Sequence, residues 1–330
     1  MNNRRKLIIA LGAGALAAPL ASSAQQQEKS VRIGFLDFGS RESAVNSGRY
    51  AALIEGLRER GYVEGKNLVL EARYADGNTD RMNEYAVELV RNKIDLVLTR
   101  GEPATRAALR MTARIPIVAT VAIDPVRAGY AASLARPGGS ITGLTNGIED
   151  TLEKLVELLI VAVPKLKRIA VLNNPANGAH SSLLSSVQAT ARQTGKQILP
   201  MSVRTPEEIV NGFAANARKR VDAVIILPDA FLFQQRTQIA ALALNNRLPS
   251  IYTQAQFPEV GGLMSYGPDV NDNLRRAGSF VEKILKGTKP GEIPFEQPTR
   301  YYLVINRKTA TALGIKSTNE LLARADKIIE

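Results

Sequence analysis

Apolar residues along this chain fall into short runs at two spacings, and the alternation of those runs predicts the fold. Ile94–Thr99 and Ile115–Ala122 are short, apolar and rich in β-branched residues. The Arg106–Ala113 run between them has helical spacing. Two such runs around one helix make a β-α-β unit. Strands apolar on both faces belong to a parallel sheet covered by helices. Polar residues and glycine fall just after each strand, at Arg100–Pro103 and at Asp124–Pro125. In open parallel sheets, ligands lie beyond the carboxyl ends of the strands. These two turns are therefore predicted to line a cleft.

The same rhythm runs through the rest of the chain. Val31–Leu36 is a strand ending in Asp37-Phe38-Gly39-Ser40, and Ser43–Gly61 a helix with Tyr50, Leu53, Ile54 and Leu57 on one face. Asn67–Arg73 alternates as a strand, and Thr79-Asp80 starts a helix carrying Met82, Tyr85, Ala86, Leu89 and Val90. A short helix over Val126–Ala135 and a fifth strand over Ile141–Thr145 complete one pass. The second pass has helices over Leu152–Ala162, Ser181–Thr194, Pro206–Ala217 and Phe231–Asn245. Its strands are Arg168–Leu172, Gln197–Val203, Asp222–Leu227 and Pro249–Thr253. Two of these end in polar turns, at Asn173-Asn174 and at Pro228-Asp229. In the tail, Gly261–Asp269 reads as a strand and turn, Asn271–Leu285 as a helix, Pro298–Ile305 as a last strand and Thr309–Leu313 as a helix start. Glu320–Glu330 reads as a charged, frayed end. The expected fold is α/β, with two doubly wound parallel-sheet lobes.

Composition fits this: 330 residues, 45% hydrophobic, 22% charged and 5% aromatic suit a two-lobed globular protein. The chain has no cysteine, which excludes disulfides, a thiolate nucleophile, cysteine-bound metal and a cysteine-linked lipid anchor. Asn2–Lys6 is a positive segment, Leu7–Leu20 an apolar one and Ala21–Ala24 a run of small residues. Residues 1–24 are thus expected to be a signal peptide, its apolar stretch too short to span a bilayer. Arg4-Arg5 is read as part of that positive segment rather than as a twin-arginine signal. The mature protein is expected to be exported, soluble and periplasmic.

The formal net charge of +12 falls to +9 without Arg4, Arg5 and Lys6. The remaining cations are scattered and often sit beside acids, as in Glu55, Arg58, Glu59 and Arg60. No dense basic run with interleaved aromatics occurs, so no nucleic-acid partner is expected. GxGxxG, Walker and GxSxG motifs are absent, and neither a cofactor nor a metal is expected. His180, the one histidine, has no partner at motif spacing and is expected on an exposed loop of the second lobe.

The candidate site residues all follow strands. Gly101-Glu102-Pro103 opens a helix whose free N–H groups and dipole suit a carboxylate; ordinary capping by acid and proline is the alternative. Glu102 itself would repel a ligand carboxylate, and Arg100 precedes it. Asp124 reads as a turn-and-cap residue before Pro125. Asp229 could pair with a ligand ammonium or cap the next helix. Phe38, with Gly39 and Ser40, could cover a flat ligand or belong to the core. Asn173 and Asn174 are turn formers that could offer amides to the cleft. Tyr266 and Gly267 fall where the tail meets it, with hinge packing as the alternative.

An ordered set of segments is similar to the periplasmic ABC-transporter substrate-binding proteins of the branch that includes tryptophan- and tyrosine-binding components. The segments are 56–67 (GLRERGYVEGKN), 115–118 (IPIV), 124–129 (DPVRAG), 136–143 (RPGGSITG), 262–267 (GLMSYG), 283–287 (KILKG), 297–299 (QPT) and 303–306 (LVIN). The resemblance spans essentially the whole mature chain. It implies a type I periplasmic-binding-protein fold, two lobes joined by three crossovers with one ligand between them. The implied lobes are 30–144 plus 262–289, and 145–261 plus 290–330. It also implies that Val121 and Ala122 approach the ligand, that the acidic residue at Asp229 matches the family's, and that Glu102 stands near where relatives carry a small hydroxyl residue.

The function so implied is capture of a small organic solute, an amino acid or related carboxylate, and its delivery by a monomer to a membrane permease. A sensory receptor feeding a membrane sensor, or an exported enzyme on a doubly wound fold, would share this sequence pattern.

Overall fold

Each of the two passes folds into its own sheet. The computed structural model describes residues 30–111, 114–315 and 318–330. The expected signal peptide, residues 1–24, lies outside the described residues. The first half runs β1 (Val31–Asp37), α1 (Arg41–Asn46), α2 (Arg49–Arg58), β2 (Leu68–Tyr74), α3 (Thr79–Arg91), β3 (Leu96–Arg100), α4 (Glu102–Met111), β4 (Ile117–Ala122) and β5 (Ile141–Thr145). All five strands are parallel, in the order β2-β1-β3-β4-β5. Their apolar residues split between two faces. Ile33, Phe35, Leu98 and Val118 pack to one side, and Leu36, Val97, Ile117 and Ala119 to the other. Every residue of β3 is buried, as a central parallel strand requires.

The second half runs α5 (Ile148–Ala162), β6 (Arg168–Asn173), α6 (His180–Gln193), β7 (Gln197–Ser202), α7 (Pro206–Arg218), β8 (Ala223–Ile226), α8 (Ala230–Gln234), α9 (Arg236–Asn245), β9 (Ser250–Tyr252), α10 (Gln256–Glu259) and β10 (Met264–Gly267). The chain then returns to the first half as α11 (Val270–Leu285) and comes back as β11 (Tyr302–Asn306), α12 (Arg307–Ala312), α13 (Thr318–Ala323) and β12 (Lys327–Ile329). The second sheet has the order β12-β11-β10-β9-β8-β6-β7. Only the β10–β11 pair is antiparallel.

The return differs from the expected boundaries at both ends. Met264–Gly267 pairs with β9 and β11, so Gly262–Gly267 stays with the second half. Residues 290–296 stay with the first half: Thr142 Oγ1 donates to the Ile293 carbonyl at 2.7 Å, and Phe295 N to the Leu134 carbonyl at 2.8 Å. The segment that crosses is thus α11 and the stretch after it. Leu274, Ala277, Phe280 and Val281 of α11 fill the first core. Its backbone meets that of α2 where two glycines cross. A Cβ on Gly56 would stand 2.0 Å from the Arg275 carbonyl oxygen, and one on Gly278 2.1 Å from that of Gly56. Only glycine at both positions lets the helices dock at this spacing.

Other departures have local causes. Val126–Ala135 forms turns rather than a helix, since Gly129 sits at φ +74° and Tyr130 N and Ala131 N both fold back to the Pro125 carbonyl. The expected helix over Ser43–Gly61 breaks at Ser47-Gly48, and that over Phe231–Asn245 at Gln235. The expected frayed end instead forms β12, parallel to β11, with Ile305 opposite Ile328.

Candidate functional site

Each sheet reverses its strand order once, between β1 and β3 in the first and between β6 and β8 in the second. A parallel sheet opens a crevice at such a reversal, beyond the carboxyl ends of the two strands. The residues there are Asp37 and Phe38, Arg100 and Gly101, Asn173 and Asn174, and Pro228 and Asp229. The two crevices face each other. A Cβ placed on Gly101 would lie 3.8 Å from Cβ of Ala230, and one on Gly178 3.3 Å from Nη2 of Arg106. Between the halves lies a hollow of about 50 Å³, lined from the first by Arg100, Gly101, Glu102, Pro103, Val121 and Ile123. Asn177, Pro228, Asp229, Ala230, Thr253 and Gln254 line it from the second, with Asn146, Ile148, Thr151, Pro268 and Val270 at the crossovers. A larger hollow of about 470 Å³ adjoins it. Its walls are Glu102, Arg106, Tyr130 and the Val121–Ala128 turn on one side, and Gly178–Ser185 of the α6 start on the other.

Five of the sequence-predicted residues meet at the central hollow: Arg100, Gly101, Glu102, Pro103 and Asp229. Ala122 and Asp124 line the larger one, where Asp124 also holds its own turn by accepting from Arg127 N at 2.9 Å. The others line neither. Phe38 is 5% exposed and packs into the first core behind Gly101. Gly39 N donates to Asp37 Oδ1 at 2.7 Å, and Ser40 caps α1. Asn173 takes Ser202 Oγ at 3.1 Å, away from the cleft. Asn174 instead supports Asp229, donating from Nδ2 at 3.3 Å. Tyr266 stacks on Tyr301 with centroids 5.8 Å apart, and Gly267 borders a separate hollow beside β11.

The charges at this site are mostly spoken for. Asp37 and Arg100, both buried, form a two-pronged pair with Nε–Oδ2 at 2.7 Å and Nη2–Oδ1 at 2.6 Å. Glu102 is held by Arg106 and by the Tyr130 hydroxyl, the latter at 2.7 Å. The Tyr130 hydroxyl pKa is raised, by burial first and then by this bond to Glu102. Glu102 therefore faces the cleft as half of an ion pair, which removes most of the repulsion its sequence position suggested. Asp229 caps α8 by accepting from Leu232 N at 3.0 Å and takes Asn177 Nδ2 at 2.9 Å.

Two cations meet across the halves, over Phe233, without a carboxylate partner among the described residues. The Arg49 guanidinium lies 4.2 Å from the centre of the Phe233 ring in the other half, and that of Arg236 lies 4.8 Å from it. Both donate to Ser43 Oγ, at 3.0 and 3.4 Å. Arg49 is 2% exposed and its Nε has no hydrogen-bond partner. Burial first, then the neighbouring charges of Arg100 and Arg236, lower the Arg49 pKa, with Asp37 opposing. Sequence reasoning missed Arg49 and Arg236, which it placed inside longer helices and which instead open α2 and α9. It also missed Asn146, Thr253 and Gln254, which the strand-end rule would have found had it been applied to β5 and β9.

His180 is not on an exposed loop. It is 2% exposed, accepts Asn174 N on Nδ1 at 2.8 Å and places Nε2 3.1 Å from the Pro228 carbonyl. These partners require the neutral ring with its proton on Nε2. The ring thereby ties the turns after β6 and β8 together beneath Asp229. Burial lowers its pKa from 6.5, with Asp229 and the Pro228 carbonyl partly offsetting this. The unfolded chain then binds the proton first, so stability is full above pH 6.5 and declines as pH falls toward the folded-state pKa. The slope approaches about 1.4 kcal/mol per pH unit. With one histidine in the chain, urea midpoints between pH 7 and 5 should fall for the wild type. The fall should flatten in His180→Asn; an equal slope in both would refute this role.

Comparison with known proteins agrees with this architecture. Residues 42–329 match the sequence profile of the family described as ABC transporter substrate binding protein. A tyrosine-binding protein of Clostridioides difficile is 26% identical over 263 residues, 80% of this chain and 75% of that one. Among solved structures, a conserved domain protein from Vibrio cholerae superposes with a TM-score of 0.85 at 27% identity, covering 91% of this chain and all of that one. An ABC domain from Streptococcus pneumoniae in complex with L-Trp superposes at 0.84 and 25% identity, over the same shares.

Proposed function

Since this chain belongs to the ABC transporter substrate-binding proteins, we propose that it works in the periplasm as a monomer whose closed, loaded form is what the permease reads. Capture of a small organic solute for an ABC transporter is its function. The solute is an amino acid or related carboxylate, released unaltered. One observation carries the reading: polar groups from both halves converge on one hollow at both strand-order reversals. Asp229 offers a carboxylate to an ammonium, and the open N–H groups at the start of α4 favour an acid group. The similar proteins that bind tyrosine and L-Trp support the same class of ligand.

Rotation about the three crossovers opens and closes the cleft, and a solute touching both halves shifts that equilibrium toward the closed form. Native mass spectrometry of the protein as purified, followed by thermal shifts with amino acids and small carboxylates, tests the proposal. A retained small molecule is expected. At a hundredfold excess over its Kd it should add about 2.7 kcal/mol of stability. No retained mass and no shift across the whole panel would refute it.

A further inference from the structure

The second half carries a basic surface at the end opposite its cleft. Lys165, Lys167 and Arg168 lead into β6, Lys196 into β7, and Arg218, Lys219 and Arg220 into β8, while Arg192 ends α6. These cations are scattered along the sequence, but β7, β6 and β8 are neighbours and bring them to one end of the sheet. Lys165, Lys167, Arg168, Arg192 and Lys196 line an open groove of about 1000 Å³ there. Asp222, beside them, spends a carboxylate oxygen on the backbone N–H groups of Lys167 and Arg168. None of these eight cations has an ion-pair partner among the described residues.

The matching end of the first half is better compensated. There Arg32 pairs with Glu71, Arg58 with Glu55, Arg60 with Glu282 and Arg275 with Glu59, although Lys66, Arg91 and Lys93 have no ion-pair partner among the described residues. Compensation of helix dipoles accounts for Arg192 and Arg218, which end α6 and α7, but not for the cations that precede strands. A cluster of like charges is unfavourable unless an anion meets it.

We propose that this face docks on the anionic headgroups of a membrane surface. Leu166 is buried, and no aromatic residue lines the groove. A diffuse array without an apolar or stacking anchor suits a lipid surface better than a protein hot spot or a nucleic-acid strand. Because the strand entrances lie opposite the carboxyl ends, docking here leaves the cleft facing solvent.

Flotation with phosphatidylcholine vesicles, with and without phosphatidylglycerol, tests the proposal on the whole mature chain. Binding is expected only with phosphatidylglycerol, and it should be lost at ~0.5 M salt. Replacing Lys165, Lys167, Arg192 and Lys196 together by Gln should lower partitioning about a thousandfold. A control with Lys283, Lys286, Lys289 and Lys308 replaced by Gln removes the same charge and should stay within a few-fold of wild type. Thermal midpoints report that both variants fold. Failure of the wild type to float with phosphatidylglycerol, or equal losses in the two variants, would overturn the proposal. So would displacement of the vesicles by duplex DNA at equal phosphate concentration.

Discussion

Asp37→Ala is expected to destabilise the protein by about 3–5 kcal/mol, most of which returns when Arg100 is replaced by leucine in the same chain. The pair lies at the carboxyl ends of β1 and β3, where the side chains are 0% and 6% exposed. Asp37 alone leaves water at a large cost, which the two-pronged bond to Arg100 offsets, and its Oδ1 also fixes Gly39 N. Without Asp37, the Arg100 guanidinium is buried with no counter-charge and beside a second buried cation. Asp37 raises the Arg49 pKa and Arg100 lowers it, so the carboxylate also offsets the charge of the second guanidinium. Arg100→Leu in the Asp37→Ala background removes the stranded charge and fills its space with carbon. Urea titrations of the two single variants and the double variant give the coupling energy, with the midpoint shifting at constant slope. A loss below about 1 kcal/mol in Asp37→Ala, or a double variant no better than the single, would mean that the pair is hydrated and contributes little.

The β-α rhythm was readable because parallel strands are apolar on both faces and each is followed by a polar turn. Those features are local. The positions of Gly101, Glu102 and Asp229 in the cleft follow from the same rule, since a strand end points where its sheet dictates. What the sequence hid depends on distant partners. The side chain of Phe38 fills the first core behind Gly101, and no local spacing distinguishes that from a place in the cleft. His180 is polar, opens α6 and has polar neighbours in sequence, yet the turns at Asn174 and Pro228 close over it. Met264–Gly267 pairs with strands on both sides within the second sheet, and only the pairing decides to which half it belongs. Arg49 and Arg236 read as ordinary charged helix positions until the two halves come together over Phe233. Likewise the basic end of the second half exists only once three strand entrances are side by side.

The solute's own charge can be read from a second substitution. Asp229→Asn is expected to weaken binding of an amino acid about a hundredfold while leaving its deaminated analogue within a few-fold. Asp229 is 8% exposed and borders the central hollow. Leu232 N and the amides of Asn174 and Asn177 take three of the roughly four acceptor positions that a carboxylate offers. One remains for the ligand, in a site where water is scarce and a charge-assisted bond contributes about 1.5–3 kcal/mol. Asparagine keeps the shape and one oxygen to cap α8, but it removes the charge and turns an N–H pair toward Asn177. An ammonium loses its counter-charge there, whereas a solute with no ammonium never used it. Titration calorimetry with the matched pair of solutes separates the two cases, and the urea midpoint of the variant shows whether the cap survives. Equal losses for both solutes would assign Asp229 to the scaffold of the β8 turn alone, and the cleft would then have to recognise its ligand through the acid group and the apolar walls.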